Sequence, residues 1–284
     1  MSISREPARP PVASADAALQ SPTPLALLAG FARKTLAIAE VEVRKLRHDP
    51  TEVLTRALQP AIWLLIFGQV ISRGHVVETG DVRYLDFLVP GILAQSVLFI
   101  AIFNGISIIW ERDLGIVHKF LASPTPRAAL VLGKALGGGV RALIQGVVVV
   151  VLALILDVHV RWEPAALFGV AVLIFLGAAV FSTFSLIIAC LVKTRERFMG
   201  IGQVLTMPLF FASNAIYPTS MMPGWLQVIS HLNPLTYEVD GLRGLLLRGN
   251  LPPAVGLGVD LAVLGGVLLL LVIISARLYP NIVR

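Results

Sequence analysis

Long stretches without charged side chains constrain this chain more than any other feature. Residues 87–110 form one such stretch of 24 residues. About 20 apolar residues are enough for an α-helix to cross the hydrocarbon of a bilayer, and the crossing segment must be helical because no water is there to bond its backbone. Similar stretches along the chain predict six transmembrane helices, near 53–72, 87–110, 128–156, 165–192, 198–217 and 255–276.

The composition supports an all-α integral membrane protein and excludes several other classes. Charged residues make up 14% of the chain, against about 25% in soluble domains. The net charge of +6 comes from basic residues at the ends of apolar stretches, which is typical of membrane topology and not of a nucleic-acid surface. The single cysteine, Cys190, excludes an internal disulfide and a multi-cysteine metal site.

The sequence contains no pattern for nucleotide binding or catalysis. Gly133-Lys134 is similar to the end of a phosphate-binding loop, but Ala128 stands where that loop needs its first glycine. The five histidines are scattered, and no cluster of metal ligands or nucleophile elbow is present. We therefore expect that this chain has no catalytic residues, binds no metal and holds no cofactor of its own.

The distribution of lysine and arginine predicts the orientation in the membrane. With six crossings, the loops and ends from residue 33 onward place 14 basic residues on one side and 5 on the other. Cytoplasmic loops carry an excess of basic residues. Both termini and the loop 111–127 are therefore predicted to be cytoplasmic.

The chain before the first span predicts two unlike segments. Residues 1–24 are rich in proline, alanine and serine and predict a disordered cytoplasmic tail. Residues 25–48 place apolar side chains on one helical face and charged side chains on another, which predicts an interface helix lying on the membrane surface rather than crossing it. The basic residues of this interface helix are Arg33, Lys34, Arg44 and Arg47.

A polar segment, 111–127, lies between the second and third predicted spans. Within it Ile116 pairs with Phe120, and Val117 pairs with Leu121, at the i, i+4 spacing. This spacing predicts one or two turns of amphipathic helix. A short helix held between two membrane helices suits docking into a partner, and a plain connecting turn is the alternative that the residues leave open.

The segment 217–254 is predicted to lie outside the cell and is unlike an ordinary loop. Its prolines divide it into pieces, of which 225–229 and 235–247 are apolar enough to enter the outer leaflet. Backbone bends at that depth only where protein or a water-filled cavity covers it. We expect two short re-entrant helices, the second capped by Asn233 and starting after Asn233-Pro234, with a floppy external loop as the alternative.

The centres of the second, fourth and fifth predicted spans carry no acidic or basic side chain. Ion-coupled and proton-coupled carriers usually need such groups within the membrane. The uncharged polar groups within the predicted spans are milder and serve either as contacts between helices or as ligands for cargo. They are Gln95, Asn104, Gln145, Gln203 and Asn214. This pattern favours an amphipathic cargo and an external source of energy.

Three features together resemble the membrane subunit of type-two ABC exporters, the class that includes daunorubicin-type resistance permeases and polysaccharide or Nod-factor export permeases. They are the surface helix before the first span, the Glu-Arg-Asp-x-Gly segment from Glu111 that ends in Ser-Pro-x-x-Arg, and Asn-Pro-Leu-Thr-Tyr at 233–237 followed by Gly-Leu-Arg. The resemblance covers about residues 30–280. Asp113-Leu114 departs from it, because many members carry a further Arg or Glu-Arg there.

The resemblance implies two permease copies, in a homodimer or a paired half-transporter, that work with cytoplasmic ATPase subunits. ATP and Mg would be held by the ATPase subunits. The segment 111–127 would be the coupling loop that docks onto the ATPase, and 217–254 the external re-entrant segment. The residues so assigned to coupling are Glu111, Arg112, Ile116, Val117, Phe120 and Leu121. Those of the external motif are Asn233, Pro234, Tyr237, Glu238 and Arg243.

These observations predict a multi-pass permease of the plasma (inner) membrane, in contact with lipids, that exports an amphipathic drug, lipid or glycoconjugate by alternating access. The side chains expected along the cargo path are Phe99, Phe103, Asn104, Phe210, Phe211 and Asn214. The alternative is a membrane-embedded enzyme or assembly factor acting on lipid at the outer leaflet. Its polar centre would be Glu238, Asp240 and Arg243, whose spacing does not place them on one helical face.

Overall fold

A computed structural model describes residues 24–46, 58–74, 77, 82–122, 125–247 and 255–279. Regular structure in these ranges is helical, apart from one isolated β-bridge between Val160 and Leu247, which confirms the all-α prediction. The α-helices are α1 (Pro24–Leu46), α2 (Gln69–Gly74), α3 (Tyr84–Asn104), α4 (Ile106–Asp113), α5 (Ile116–Ala122), α6 (Arg127–Ile155), α7 (Pro164–Leu191), α8 (Arg195–Phe211), α9 (Gly224–Leu232), α10 (Pro234–Leu246) and α11 (Leu257–Leu278). The predicted tail, 1–24, lies outside the described residues except for its last residue.

Four helical segments in the described part of the chain are long and apolar enough to cross a membrane. They are Tyr84–Asp113 (α3 with α4), α6, α7 and α11. They correspond to the predicted second, third, fourth and sixth spans. The predicted class, an integral membrane protein, is therefore confirmed.

The predicted first span is covered only in part by the described residues, and the helix at the predicted fifth span is shorter than expected. The first falls on helical residues 58–74, where a π-helix, Trp63–Gly68, follows Pro60; proline lacks the N–H that a regular helix uses. The fifth is α8, which has 17 residues and ends before the predicted boundary. Ser213 ends it by donating to the Phe210 carbonyl and accepting from the next turn, a side-chain bond that competes with helix continuation.

Helix α3 lies at the centre of the bundle. Every residue from Tyr84 to Leu98 is buried, because the apolar side chains of this helix occur all round its axis and not on one stripe. It packs against α6, α7 and α10. Its backbone approaches the 212–217 turn closely at Gly91, where a methyl group would lie 2.1 Å from the Ala215 carbonyl oxygen.

Helix α1 packs along α6, and its place on the membrane surface stays a prediction. Glycines of α6 let the two helices meet closely, as small residues do at membrane helix contacts. A Cβ on Gly133 would lie 2.6 Å from Ile38, and one on Gly137 would lie 2.3 Å from Glu42. The face of α1 that packs on α6 buries Thr35, Ala39 and Glu42, whereas Leu28 and Leu36 of the predicted apolar face are 66% and 62% exposed.

The segment after α8 contains two short α-helices, α9 and α10, near the predicted positions, and their re-entrant placement in the membrane stays a prediction. Helix α10 starts after Asn233 and packs against α3, α7 and α11. It is buried almost throughout, whereas α9 exposes large apolar side chains such as Trp225 and Leu232. Helix α10 is thus part of the core, while α9 presents an apolar surface.

Candidate functional site

Four charged side chains from three helices meet inside the protein near the start of α6. Lys134 Nζ lies 2.5 Å from Glu111 Oε2 and 3.3 Å from Glu42 Oε1. Arg141 Nη2 lies 3.3 Å from the second oxygen of Glu42. The two basic residues are seven positions apart on α6, which places both on the same face. We call these four side chains the ionic network.

Burial makes the ionic network a strong positional constraint. Glu42, Glu111 and Lys134 are each at most 6% exposed. Removing charges from water is costly, so such a group adds little net stability, but losing one partner leaves an uncompensated buried charge. The network therefore holds α1 and α4 in place against α6. The pairs are separated by 92 and 23 residues along the chain, and no local sequence pattern predicts them.

Asn104 extends the ionic network to α3. Its side-chain oxygen accepts a hydrogen bond from Arg141 Nη1. Asn104 is the last residue of α3, and Gly105 forms the turn into α4. The cargo path was predicted to include Asn104, but its amide is bound by an arginine. The network thus contacts both sides of the break in the Tyr84–Asp113 segment.

Helices α4 and α5 form a tight hairpin that projects from the bundle beside the ionic network. Gly115 has a φ of 71°, in the left-handed region that glycine adopts without strain, and this reverses the chain between the two helices. Leu114 lies at the tip, with 69% of its surface exposed. The predicted short helix is therefore present as α5, and Leu114, two residues before it, is the most exposed large apolar side chain described in the hairpin.

The residues predicted for ATPase coupling do not form one exposed face. Glu111 belongs to the ionic network, and Val117 is fully buried in the permease. Ile116 and Phe120 are half-buried, and Phe120 packs against the same apolar cluster as Val117. The side chain of Leu121 lies outside the described residues. The apolar residues paired at i, i+4 thus include side chains, such as Val117, that pack against the permease itself.

Helix α4 is clamped to the start of α8. Arg112 donates to the Lys193 carbonyl at 2.6 Å, and Asp113 accepts from Arg195 at 2.7 Å. The Arg195 guanidinium also lies 3.5 Å from the centre of the Trp110 ring, a favourable cation–π distance. The predicted coupling residue Arg112 therefore fixes the hairpin to the α7–α8 connection.

The basic residues predicted on the interface helix remain at the surface. Arg33 is exposed and Lys34 is half-buried. Arg44 is exposed and pairs with Glu40 at 2.6 Å, as the i, i+4 spacing favours. Arg47 lies outside the described residues. These side chains surround the buried face of α1 that carries Glu42.

The side chains predicted along the cargo path differ in their exposure and surroundings. Phe99 and Phe103 stack with ring centres 6.1 Å apart and line one cavity. Phe211 is 43% exposed, whereas Phe210 is fully buried and Asn214 is 4% exposed. The main-chain oxygen of Asn214 accepts a hydrogen bond. Phe210 and Phe211 are not among the described residues that line this cavity.

The external motif fixes the entry into α10. The Asn233 side chain accepts from the backbone N–H two residues later at 3.0 Å, which confirms the predicted cap, and it donates to the Leu209 carbonyl at 2.6 Å. Pro234 is the first residue of α10. Tyr237 donates to the His231 carbonyl at 2.8 Å. The motif therefore joins α8, α9 and α10.

Helix α10 carries an acidic side chain into the bundle. The sequence analysis did not predict this, because it looked for charged groups only within the predicted spans. Glu238 is fully buried beside Gly177 at the middle of α7, where a Cβ would lie 2.2 Å from its carboxyl carbon. Neither carboxyl oxygen has a hydrogen-bond partner among the described residues. The only sequence signal was one glutamate within an apolar segment.

The charged residues of the alternative enzyme hypothesis do not form an open site. Arg243 lies over Phe87, 3.8 Å from its ring centre, and donates to the Asn214 carbonyl at 2.8 Å. Asp240 accepts from the backbone of the segment before α11. Together with Glu238, both are at most 8% exposed. Substrate access to a centre made of these groups is closed in this conformation.

Comparisons with known proteins identify what this chain is similar to. The family model described as ABC-2 type transporter matches residues 33–247. The chain is 27% identical over 236 residues to the daunorubicin resistance ABC transporter permease protein DrrB1 of Streptomyces coeruleorubidus, covering 83% of this chain and 82% of that protein. It is 29% identical over 203 residues to the putative transport permease ycf38 of Cyanophora paradoxa, covering 71% and 70%. The inner membrane transport permease YadH of Escherichia coli K12 is 27% identical over 203 residues, covering 70% and 77%.

Proposed function

The chain belongs to the ABC-2 type transporter family, and on this premise we propose that it is the permease subunit of an ATP-driven exporter. Membership makes it a membrane permease of an ABC transporter, with an ATP-binding partner subunit. The proposal adds the direction and the cargo. The permease moves an amphipathic drug, lipid or glycoconjugate outward by alternating access, and ATP hydrolysis takes place on the partner.

The observation that carries the proposal is the ionic network beside the α4–α5 hairpin. A subunit without its own nucleotide site needs a rigid connection between the surface that contacts the ATPase and the helices that contact cargo. Glu111 joins the hairpin to α6 through Lys134 at 2.5 Å, and Glu42 joins α1 to the same lysine at 3.3 Å. A push on the hairpin therefore reaches α6 and α1 together.

The mechanism follows from this connection. Closure of the ATPase subunits displaces the hairpin, and the ionic network transmits the displacement to α6, while Asn104 transmits it to α3. Such packed and hydrogen-bonded contacts shift between discrete arrangements rather than deform continuously. The cargo-facing helices then open outward, and the buried α10 moves with α3 and α7.

A second permease copy and six spans belong to the proposal. The helical residues 58–74 and α8 contact the rest of the chain chiefly through α3. They leave large apolar side chains exposed, such as Ile66 at 61% and Val204 at 70%. A second copy or lipid covers such surfaces in a membrane. In this proposal both segments cross the membrane and form the side of the permease that meets its partner copy.

Replacing Leu114 with aspartate is expected to weaken association with the cognate ATPase by tenfold or more. Leu114 is exposed at the hairpin tip, and burying a leucine in a partner cleft contributes about 1.5–3 kcal/mol, where 1.4 kcal/mol is about tenfold. The measurement is pull-down of the co-expressed ATPase, together with ATP turnover and efflux by the same preparation.

The matched control is Leu114→Met, which keeps an apolar side chain and should retain wild-type association. Both variants should elute as the wild-type protein does on size exclusion, because Leu114 makes little contact with the permease core. Wild-type ATPase binding and efflux by a folded Leu114→Asp variant would show that residues 111–127 are only a connecting turn.

The proposed topology puts the α4–α5 hairpin and the 156–163 loop on opposite sides of the membrane. They flank α6, whose 29 residues span about 43 Å. In a Cys190→Ala background, a cysteine at the exposed position Lys119 should react with an impermeant maleimide only from the cytoplasmic side. A cysteine at the exposed position Glu163 should react only from outside. Reaction of both from one side would refute the arrangement.

A further inference from the structure

A cavity of about 440 Å³ lies between α3, α6 and the start of the 58–74 helical segment. We propose that it is a cargo subsite for the uncharged part of an amphiphile that carries a hydrogen-bond acceptor, such as a carbonyl, on a planar apolar body. The identification of the occupant as cargo rests on the proposed function. The existence of the subsite rests on the cavity itself.

The apolar body follows from the walls of the cavity. Phe99 and Phe103 lie on one face of α3, and their rings stack with a 28° angle between planes. Planar groups pack favourably against such faces. None of the described residues that line the cavity carries a charge. A charged group entering it would lose its hydration without an ionic partner, so the part of the ligand that enters is neutral.

The hydrogen-bond acceptor follows from Gln95. Its side chain is 2% exposed and lines the cavity, and its Nε2 donor has no hydrogen-bond partner among the described residues. Nearly all buried polar groups in proteins are hydrogen-bonded. Gln59, Ser96 and Gln145 add further polar groups to the same walls. A ligand with an acceptor would complete this set, and a purely hydrocarbon ligand would leave the donor unsatisfied.

A second concavity in the same protein offers a purely apolar comparison. It lies between α6, α7 and α11, is more open, and is lined by apolar residues such as Leu143, Val172 and Leu268. An acyl chain fills such a groove without hydrogen bonding. The cavity beside Gln95 differs because it combines aromatic rings with amide groups. The proposal therefore places a hydrogen-bonding ligand in the cavity beside Gln95 and apolar chains in the groove between α6, α7 and α11.

The cavity also lies next to the ionic network along both of its main walls. Phe103 lines it, and the adjacent Asn104 is bound by Arg141. Gln145 lies on α6 one turn after Arg141, about 6 Å along the helix axis. An occupant that moves either wall therefore moves a member of the network. In this proposal, bound cargo and the α4–α5 hairpin both act on the ionic network and on Asn104.

The test uses the full chain in lipid nanodiscs, without ATPase, and benzophenone as a neutral photolabel. Competition is measured with 9-fluorenone and with fluorene, which share a shape and differ in the carbonyl acceptor. In the wild-type protein, peptides containing Phe99 and Phe103 should be labelled, and fluorenone should displace the label at about one-tenth the concentration of fluorene. In Gln95→Leu the two competitors should become equivalent.

Two further variants separate the cavity from general partitioning into lipid. Ser96→Phe fills the cavity and should abolish displaceable labelling, whereas Ala171→Phe, which lies in the apolar groove, should leave it unchanged. Equal potency of the competitors on the wild-type protein, or unchanged labelling in folded Ser96→Phe, would overturn the proposal. If Ser96→Phe does not fold, the competitor ratio in Gln95→Leu decides. Failure of ATPase association would leave these readouts intact and would remove only the assignment as cargo.

Discussion

Lys134→Ala is expected to destabilise the permease by about 3–5 kcal/mol, the cost of breaking a buried ion pair by removing one partner. Lys134 Nζ contacts carboxylates of both Glu42 and Glu111 at 3.3 and 2.5 Å, and its side chain is 5% exposed. Its loss leaves Glu111 buried without this cation, and among the described residues it leaves Arg141 as the basic partner of Glu42. The expected consequence is loosening of α1 and of the α4–α5 hairpin from α6.

The measurement is thermal unfolding of the detergent-solubilised protein, followed by size exclusion after heating. Arg44→Ala is the control, because the Arg44–Glu40 pair has side chains 73% and 62% exposed and such pairs contribute about 0–1 kcal/mol. The double variant Lys134→Met with Glu111→Leu should recover much of the loss, since it removes both charges of the shorter pair. Equal stability of Lys134→Ala and Arg44→Ala would show that the ionic network is not buried inside the protein as described.

Gly91→Ala is expected to lower the free energy of unfolding by about 3 kcal/mol, the upper part of the usual cost of overpacking. The added methyl would lie 2.1 Å from the carbonyl oxygen, 2.7 Å from the carbonyl carbon and 2.8 Å from the Cα of Ala215. These are main-chain atoms, so no side-chain rotation relieves the clash. Either α3 or the 212–217 turn must shift, although both are buried.

The matched control is Gly265→Ala in α11, where an added methyl meets nothing within 4 Å. Alanine is favoured over glycine in a helix interior by about 1 kcal/mol, so this variant should be as stable as the wild-type protein or more stable. Unfolding temperature and expression level of the two variants are compared in the same detergent. A Gly91→Ala variant as stable as Gly265→Ala would contradict the contact between α3 and the turn.

Much of the architecture was predictable because apolar length and helix signals are local. The uncharged stretches at 87–110 and 165–192 correspond to membrane-length helices of the structure. The Asn233-Pro234 pair predicted the start of α10, since a cap and a proline act within one turn. The short α5 helix was predicted from i, i+4 spacing. Each of these signals involves residues within a few positions of one another.

The outward-facing residues of the candidate site could not be read from the sequence, because apolar pairing does not tell which face a helix turns outward. Val117 belongs to a predicted coupling face but is fully buried, whereas Leu114 was left out and is 69% exposed. Likewise, Phe99 and Phe210 were predicted on one cargo path, but only Phe99 lines the cavity beside α6. Those outcomes depend on how α4 and α8 pack, which spacing within one helix does not contain.

The sequence by itself determined that the chain is an all-helical membrane protein with a helix before its spans, a short hairpin helix and a capped pair of helices before the last span. Hydropathy and capping determine these features, because the bilayer and the backbone act on each segment separately. Only the tertiary structure decided that Glu42 and Lys134, 92 residues apart, share one buried site. It also decided that the Glu238 side chain packs against Gly177, at the middle of α7. A buried charge is stable only with the partner or packing that folding brings to it, and that neighbour is set by the arrangement of helices in space.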